Sequence, residues 1–155
     1  MPDLSVNQSC SCPCGQSTFT VSGVAISRFL CHCQICQSIY KQPFADITTF
    51  WSGSVSLPEE HSIQFNRYRL PPALRRGTCA TCDAPVVGLL SLAPFVQLAF
   101  VPSKNFSAPA ALQSAGAHIF YHRRVCDVHD SLRKVNGYWP SGLAVTKMVM
   151  GSLFR

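Results

Sequence analysis

Polar and apolar positions alternate along this chain in short bursts, with little of the three-to-four spacing that a helix leaves. Residues 18–22 (Thr18-Phe19-Thr20-Val21-Ser22) alternate strictly and predict a strand ended by Gly23. A second strand is predicted over 25–30, delivering the chain to Cys31. Further strands are predicted over 44–51, 63–70, 74–78, 85–90, 95–101 and 118–121. Turn chemistry separates them: Ser52-Gly53-Ser54, a break at Leu57-Pro58-Glu59-Glu60, and Pro71-Pro72. Residues 1–9 read as a loosely held lead-in. A short helix is expected over 108–115, its start restricted by Pro109. The more polar stretch 123–155 reads as loop with a short helix near 145–150. This pattern predicts a mainly β, antiparallel single domain with few short helices. A main unit over 10–122 is followed by an extension, 123–155, packed on the same domain.

The chain has 155 residues, enough for one core of ordinary size, and is 47% hydrophobic and 13% charged, which excludes a disordered tail. The formal charge of +6 favours anionic partners. The basic residues are scattered, however, and Arg75-Arg76 and Arg123-Arg124 are the adjacent pairs. No basic helix or aromatic-basic ladder is present, which argues against a nucleic-acid footprint. No apolar run approaches the ~20 residues of a membrane span. The start, Met1-Pro2-Asp3-Leu4-Ser5, lacks the basic-then-apolar pattern of a signal peptide. A cytoplasmic setting is expected.

The nine cysteines change the picture. They cluster as Cys10-x-Cys12-x-Cys14, Cys31-x-Cys33-x-x-Cys36 and Cys79-x-x-Cys82, spacings that suit a metal better than disulfides. Cys12 and Cys14, with Gly15 permitting the reversal, pair with Cys79 and Cys82 as a four-thiolate cage. Such a cage is closed and structural, and it staples distant strands with zinc. Cys31, Cys33 and Cys36 remain for a second ion, which makes two per chain. Its fourth position is filled by Cys10, Cys126 or His32, or it stays open to water or substrate.

Cys12-Pro13-Cys14-Gly15 is followed by Phe19, then Cys31-His32-Cys33-x-x-Cys36-Gln37, Phe44, Arg76 before Cys79-x-x-Cys82, and His118-Ile119-Phe120. In that order the chain resembles the glutathione-dependent formaldehyde-activating enzyme family, which includes centromere protein V. The resemblance implies stacked antiparallel sheets stapled by zinc, a β-tent. It implies a structural zinc on Cys12, Cys14, Cys79 and Cys82, and a catalytic one on Cys31, Cys33 and Cys36. The family's named reaction joins glutathione to formaldehyde. Two positions depart from its pattern, since Lys41 and Asp83 stand where glycine is usual. Lys41 either narrows the pocket or supplies a cation for an anionic substrate.

The expected function is a zinc-dependent carbon–sulfur lyase acting on a small thiol or glutathione adduct. Three thiolates make zinc electron-rich and a weak Lewis acid, so a thiolate-binding role suits it best. The alternatives are a zinc module that carries glutathione or binds a macromolecule, and a family member recruited to another zinc-assisted reaction such as dehydration or rearrangement. His118, Lys41 and His32 are the candidate catalytic groups, with Tyr40 behind them. His118 also reads as a hydrogen-bonded core histidine, and His32 as a residue that orients a neighbour. Arg75 and Arg76 read as a solvated pair able to bind a carboxylate. Trp51, Trp139 and Phe44 are expected in the core, Cys10 as a spare and exposed thiol, and Asp127-Val128-His129-Asp130 as polar loop.

Overall fold

The computed structural model describes residues 4–57, 62–68 and 74–154. The breaks expected at Pro58 and at Pro71-Pro72 lie outside them. Among the described residues, eleven strands form two sheets. A three-stranded sheet runs β1 (Ser5–Ser11), β2 (Thr18–Val24), β5 (Val55–Ser56). The larger sheet contains β3 (Ser27–Cys31), β4 (Ala45–Trp51), β6 (Ile63–Arg67), β7 (Arg75–Cys79), β8 (Pro85–Ala93), β9 (Val96–Pro102), β10 (Ala117–Ile119) and β11 (Arg133–Lys134). Its spatial order is β11-β10-β3-β4-β9-β8-β7-β6. Two helices complete the set, α1 (Gln34–Tyr40) and α2 (Tyr138–Leu153).

The mainly β architecture follows the alternation in the sequence. In β2, Phe19 and Val21 are buried while Thr18, Thr20 and Ser22 face out. Most ladders are antiparallel, but β10 lies parallel to both β3 and β11, so the large sheet is mixed. That pairing sets His118 opposite Leu30 and Ile119 opposite Cys31, bringing a late segment to the triple-cysteine turn.

Several local expectations need correction. The lead-in 1–9 is mostly strand from Ser5 onward, because Val6 and Cys10 bury against β2. Cys10 is therefore a core thiol, 1% exposed, and burial pushes its pKa up to about 12. Strand β2 continues through Gly23, where a Cβ would stand 2.2 Å from Ser54 Oγ; the missing side chain admits the close approach. The helix expected over 108–115 is only a 3-10 turn, Pro109–Ala111. Helix α1 escapes the pattern because its seven residues are too few to show a period, and it buries only Cys36.

Helix α2 is far longer than the expected 145–150. Pro140 sits in its first turn, where the missing N–H is not needed. Ala144 and Val149 pack into the same core cluster as Cys31, Cys33 and Cys36, and Ser141 Oγ accepts the Phe120 N–H at 2.8 Å. The outward face of α2 is apolar too: Trp139, expected in the core, is 78% exposed. Trp51 and Phe44 are half-buried. No helix among the described residues is long and apolar enough to cross a membrane.

Candidate metal centres and functional site

Two strand ends build the first centre. After β1 the chain turns at Cys12-Pro13-Cys14-Gly15, with Gly15 at φ 80° and its N–H on Cys12 O. After β7 it turns at Cys79-Ala80-Thr81-Cys82, with Asp83 at φ 61° and its N–H on Cys79 O. Each knuckle thus ends on a left-handed residue, glycine in one and aspartate in the other. Asp is among the residues that tolerate this region. Backbone N–H groups of Ser17 and Thr81 point at the sulfurs of Cys12 and Cys79, both at 3.4 Å, the pattern that steadies thiolates.

The four sulfurs lie within 4.8 Å of one another, with Cys12–Cys14 at 3.4 Å and Cys14–Cys79 at 3.7 Å. Ligands at ~2.3 Å around a tetrahedral zinc stand about 3.8 Å apart, so this cluster could hold one such ion. It would join the three-stranded sheet to the large one.

The second centre sits on one tight stretch. Cys31 ends β3, Cys33 is the N-cap of α1, and Cys36 lies in its first turn. All three are buried, their sulfurs within 4.8 Å of one another. Cys33 Sγ accepts the Cys36 N–H at 3.4 Å, so the cap that starts the helix also aims the ligand. Three thiols this close cannot all ionise. Hydrogen bonds from Cys31 and Cys36 pull Cys33 down to about 2, while those to Cys33 and Cys36 hold Cys31 well above its ordinary range. A divalent cation removes that conflict, and the donor set suits zinc.

Among the described residues, no fourth His, Cys, Asp or Glu side chain joins these three sulfurs. Each proposed fourth ligand is engaged or placed elsewhere. Cys10 belongs to the other core cluster, and Cys126 is exposed. His32 turns its Nε2 to His118 Nδ1 at 2.8 Å.

Two sets of side chains flank the turn. On one side, Arg76 Nη2 lies 3.7 Å from Cys36 Sγ. Arg76 is half-buried, and so is not the solvated group expected; Arg75 stacks over the Phe65 ring at 5.1 Å. Arg76, Cys36, Tyr40, Leu74 and Phe100 line a cavity of about 30 Å³, room for one water. Burial, then the charges of Cys36 and Cys31, push the Tyr40 hydroxyl well above its ordinary range.

On the other side lies an aromatic box of His32, Phe44, His118 and Tyr121, with ring centroids 4.9 to 5.9 Å apart. His32 and His118 are 1% and 0% exposed. His118 Nε2 meets Asp130 Oδ2 at 2.8 Å. Burial first, then the neighbouring His118 and Arg124, lower the His32 pKa to about 4. Gln37 ties the turn to the rest: its Nε2 donates to His32 O at 2.6 Å and Arg123 O at 2.8 Å.

Lys41 is the C-cap of α1 at φ 52°, with its side chain exposed, and it does not line the cavity. Glycine suits such a cap because it has no Cβ to strain. Lys41→Gly is expected to raise stability by up to ~1 kcal/mol in chemical denaturation. Unchanged or lower stability would show that the lysine makes a compensating contact.

Sequence reading placed Asp130 in a polar loop and assigned no role to Gln37. Gln37 was visible as the last residue of the cysteine motif. Asp130 left no local signal. What pointed to it was His118 on an apolar strand, since a buried imidazole needs partners.

The class defined here is a mainly β domain with one four-cysteine cluster and one three-cysteine turn, each of which could hold a metal ion. The family model described as glutathione-dependent formaldehyde-activating enzyme matches residues 7–123, and the chain belongs to that family. No curated protein matches it.

Proposed function

We propose that the protein is a zinc-dependent enzyme of the carbon–sulfur lyase type, working at the Cys31/Cys33/Cys36 turn on a small thiol or glutathione adduct. The observation that carries this reading is the three-sulfur cluster, joined by no fourth ligand among the described residues, inside a family named for glutathione chemistry. Zinc held there would supply a soft position that binds a thiol as its thiolate.

The chain's own residues do the rest. Arg76, 3.7 Å from Cys36 Sγ, adds a positive charge where a thiolate and an anionic substrate gather. Tyr40 keeps its proton beside the cluster and can donate it in a hydrogen bond. His32 and His118 form the buried polar side of the turn, and they are the groups that hold or pass the proton a bound thiol loses. Lys41 stands at the helix end, where it meets an anionic group approaching from solvent. The Cys12/Cys14/Cys79/Cys82 cluster takes a second, structural zinc. A cytoplasmic location suits its free thiols.

The experiment is spectroscopic. Protein loaded with cobalt in place of zinc should show thiolate charge-transfer bands, and glutathione should change the part belonging to the three-cysteine turn. A spectrum indifferent to glutathione overturns thiol binding.

A further inference from the structure

We propose that the outer face of α2 is a self-association surface, on which two copies of the protein pair through antiparallel α2 helices about a two-fold axis.

Helix α2 carries two apolar stripes. The inner one, Ala144, Val145, Met148 and Val149, packs into the core cluster that contains Cys31, Cys33 and Cys36. The outer one is Trp139, Leu143, Thr146, Met150 and Leu153, all exposed. Its intervals are four, three, four and three, the spacing that keeps a seam turned toward a partner helix. Thr146 does not interrupt the stripe. Its Oγ1 donates to Gly142 O at 2.9 Å, so the hydroxyl is spent within the helix. A helix that is apolar all round is ordinarily covered all round. The domain covers one side of this one.

The exposed area fits a dimer. Half of the strongly exposed large apolar side chains among the described residues fall within 138–154. Trp139 and Phe154 are more than three-quarters exposed, and Leu143, Met150 and Leu153 about half. At ~200 Å² for an aromatic side chain and on the order of 100 Å² for an aliphatic one, these five present about 500 Å² per copy. That is at the upper end of what a monomer leaves bare. With the atoms flanking the stripe, two such faces bury ~1,200 Å² in total, where stable interfaces begin.

Charge and shape point to a second copy as the occupant. Helix α2 holds one charged residue, Lys147, and no acid. An interfacial membrane helix carries a face rich in Lys and Arg beside its apolar one, which α2 lacks. An acidic or basic partner would be met by opposite charges, also lacking here. A two-fold contact asks only that the face complement itself. The large side chains Trp139 and Met150 stand on either side of Gly142 and Thr146. With the axis between Leu143 and Thr146, an antiparallel pair sets Trp139 of each copy against Met150 of the other. A Cβ built on Gly142 would meet no atom within 4 Å, so its bare backbone lets the helices approach closely.

The test is sedimentation equilibrium on the full zinc-loaded chain from ~1 to ~200 µM. A monomer–dimer equilibrium is expected, with a dissociation constant on the order of 10 µM for an interface of this size. Trp139→Glu and Met150→Lys should each weaken the dimer at least ~100-fold, because each buries an unpaired charge at the seam. Circular dichroism and zinc content should match those of the unaltered protein. Mixing the two variants should restore a dimer, since the antiparallel pairing brings the new carboxylate to the new ammonium. A monomer at every concentration overturns the proposal. So does a dimer that survives both substitutions, which would place the contact on another face. A mixture that stays monomeric overturns the antiparallel pairing. Should either variant fail to fold, the unaltered protein and Leu143→Glu decide, and a folded Leu143→Glu dimer overturns the proposal. A monomer that floats with phosphatidylserine–phosphatidylcholine vesicles would assign the face to a lipid surface instead.

Discussion

Cys79→Ser will not fold to the native state at room temperature. Cys79 closes β7 and is one of four sulfurs through which an ion would tie the turn after β1 to the end of β7; Cys14 and Cys79 are 65 residues apart in sequence. A structural zinc of this kind contributes on the order of 10 kcal/mol or more to folding. A domain of this size has only about 5–15 kcal/mol in total. Serine is a poor zinc ligand, and its hydroxyl would replace a sulfur that is 2% exposed. Circular dichroism and metal analysis are the checks. A folded Cys79→Ser protein with one zinc at the other centre would refute the structural role.

Cys33→Ser should behave in the opposite way. It will fold, hold one zinc instead of two, and lose at least ~100-fold in activity, beyond what disturbing an orienting partner costs. The reason it folds is local. Cys33 is the N-cap of α1, and its Sγ accepts the Cys36 N–H. Serine is among the best N-caps, so the helix keeps its start while the metal loses a ligand. The turn also sits in a core cluster with Ile26, Phe29, Leu98 and Phe100, which does not depend on the metal for its apolar contacts. Melting with and without added zinc, beside metal content, separates the outcomes. Unfolding equal to that of Cys79→Ser would assign the triple-cysteine turn to structure.

The contrast between the two centres was partly legible in the cysteine spacing. Two pairs far apart in sequence suit a cage, and three ligands within six residues leave one position to be found. The strands were legible for a similar reason. Side chains in β2 alternate, and the burial of Phe19 and Val21 follows that pattern. What stayed hidden depends on contacts the sequence does not display. Strand β1 looks polar, because only Val6 and Cys10 turn inward. Helix α2 was masked by Pro140 and by exposed apolar residues on its outer face, which blur its period. The pairing of β10 with β3 is a parallel, long-range contact. It alone brings His118, 86 residues away, to His32. Asp130, in a segment that reads as loop, enters only through that pairing.

The same holds for Arg76. Its place beside Arg75 made it look like half of a solvated pair. Alternation along β7 sends Arg75 out over Phe65 and Arg76 toward Cys36. One residue of offset separates a surface charge from one at the three-cysteine turn.

The central claim is that the Cys31/Cys33/Cys36 turn holds zinc with a position reserved for a substrate thiolate. Its most direct test is a crystal structure of the zinc-loaded protein soaked in glutathione. The account predicts a glutathione sulfur at ~2.3 Å from the ion held by these three cysteines. A fourth ligand supplied by the protein itself, with glutathione absent from the site, would contradict it.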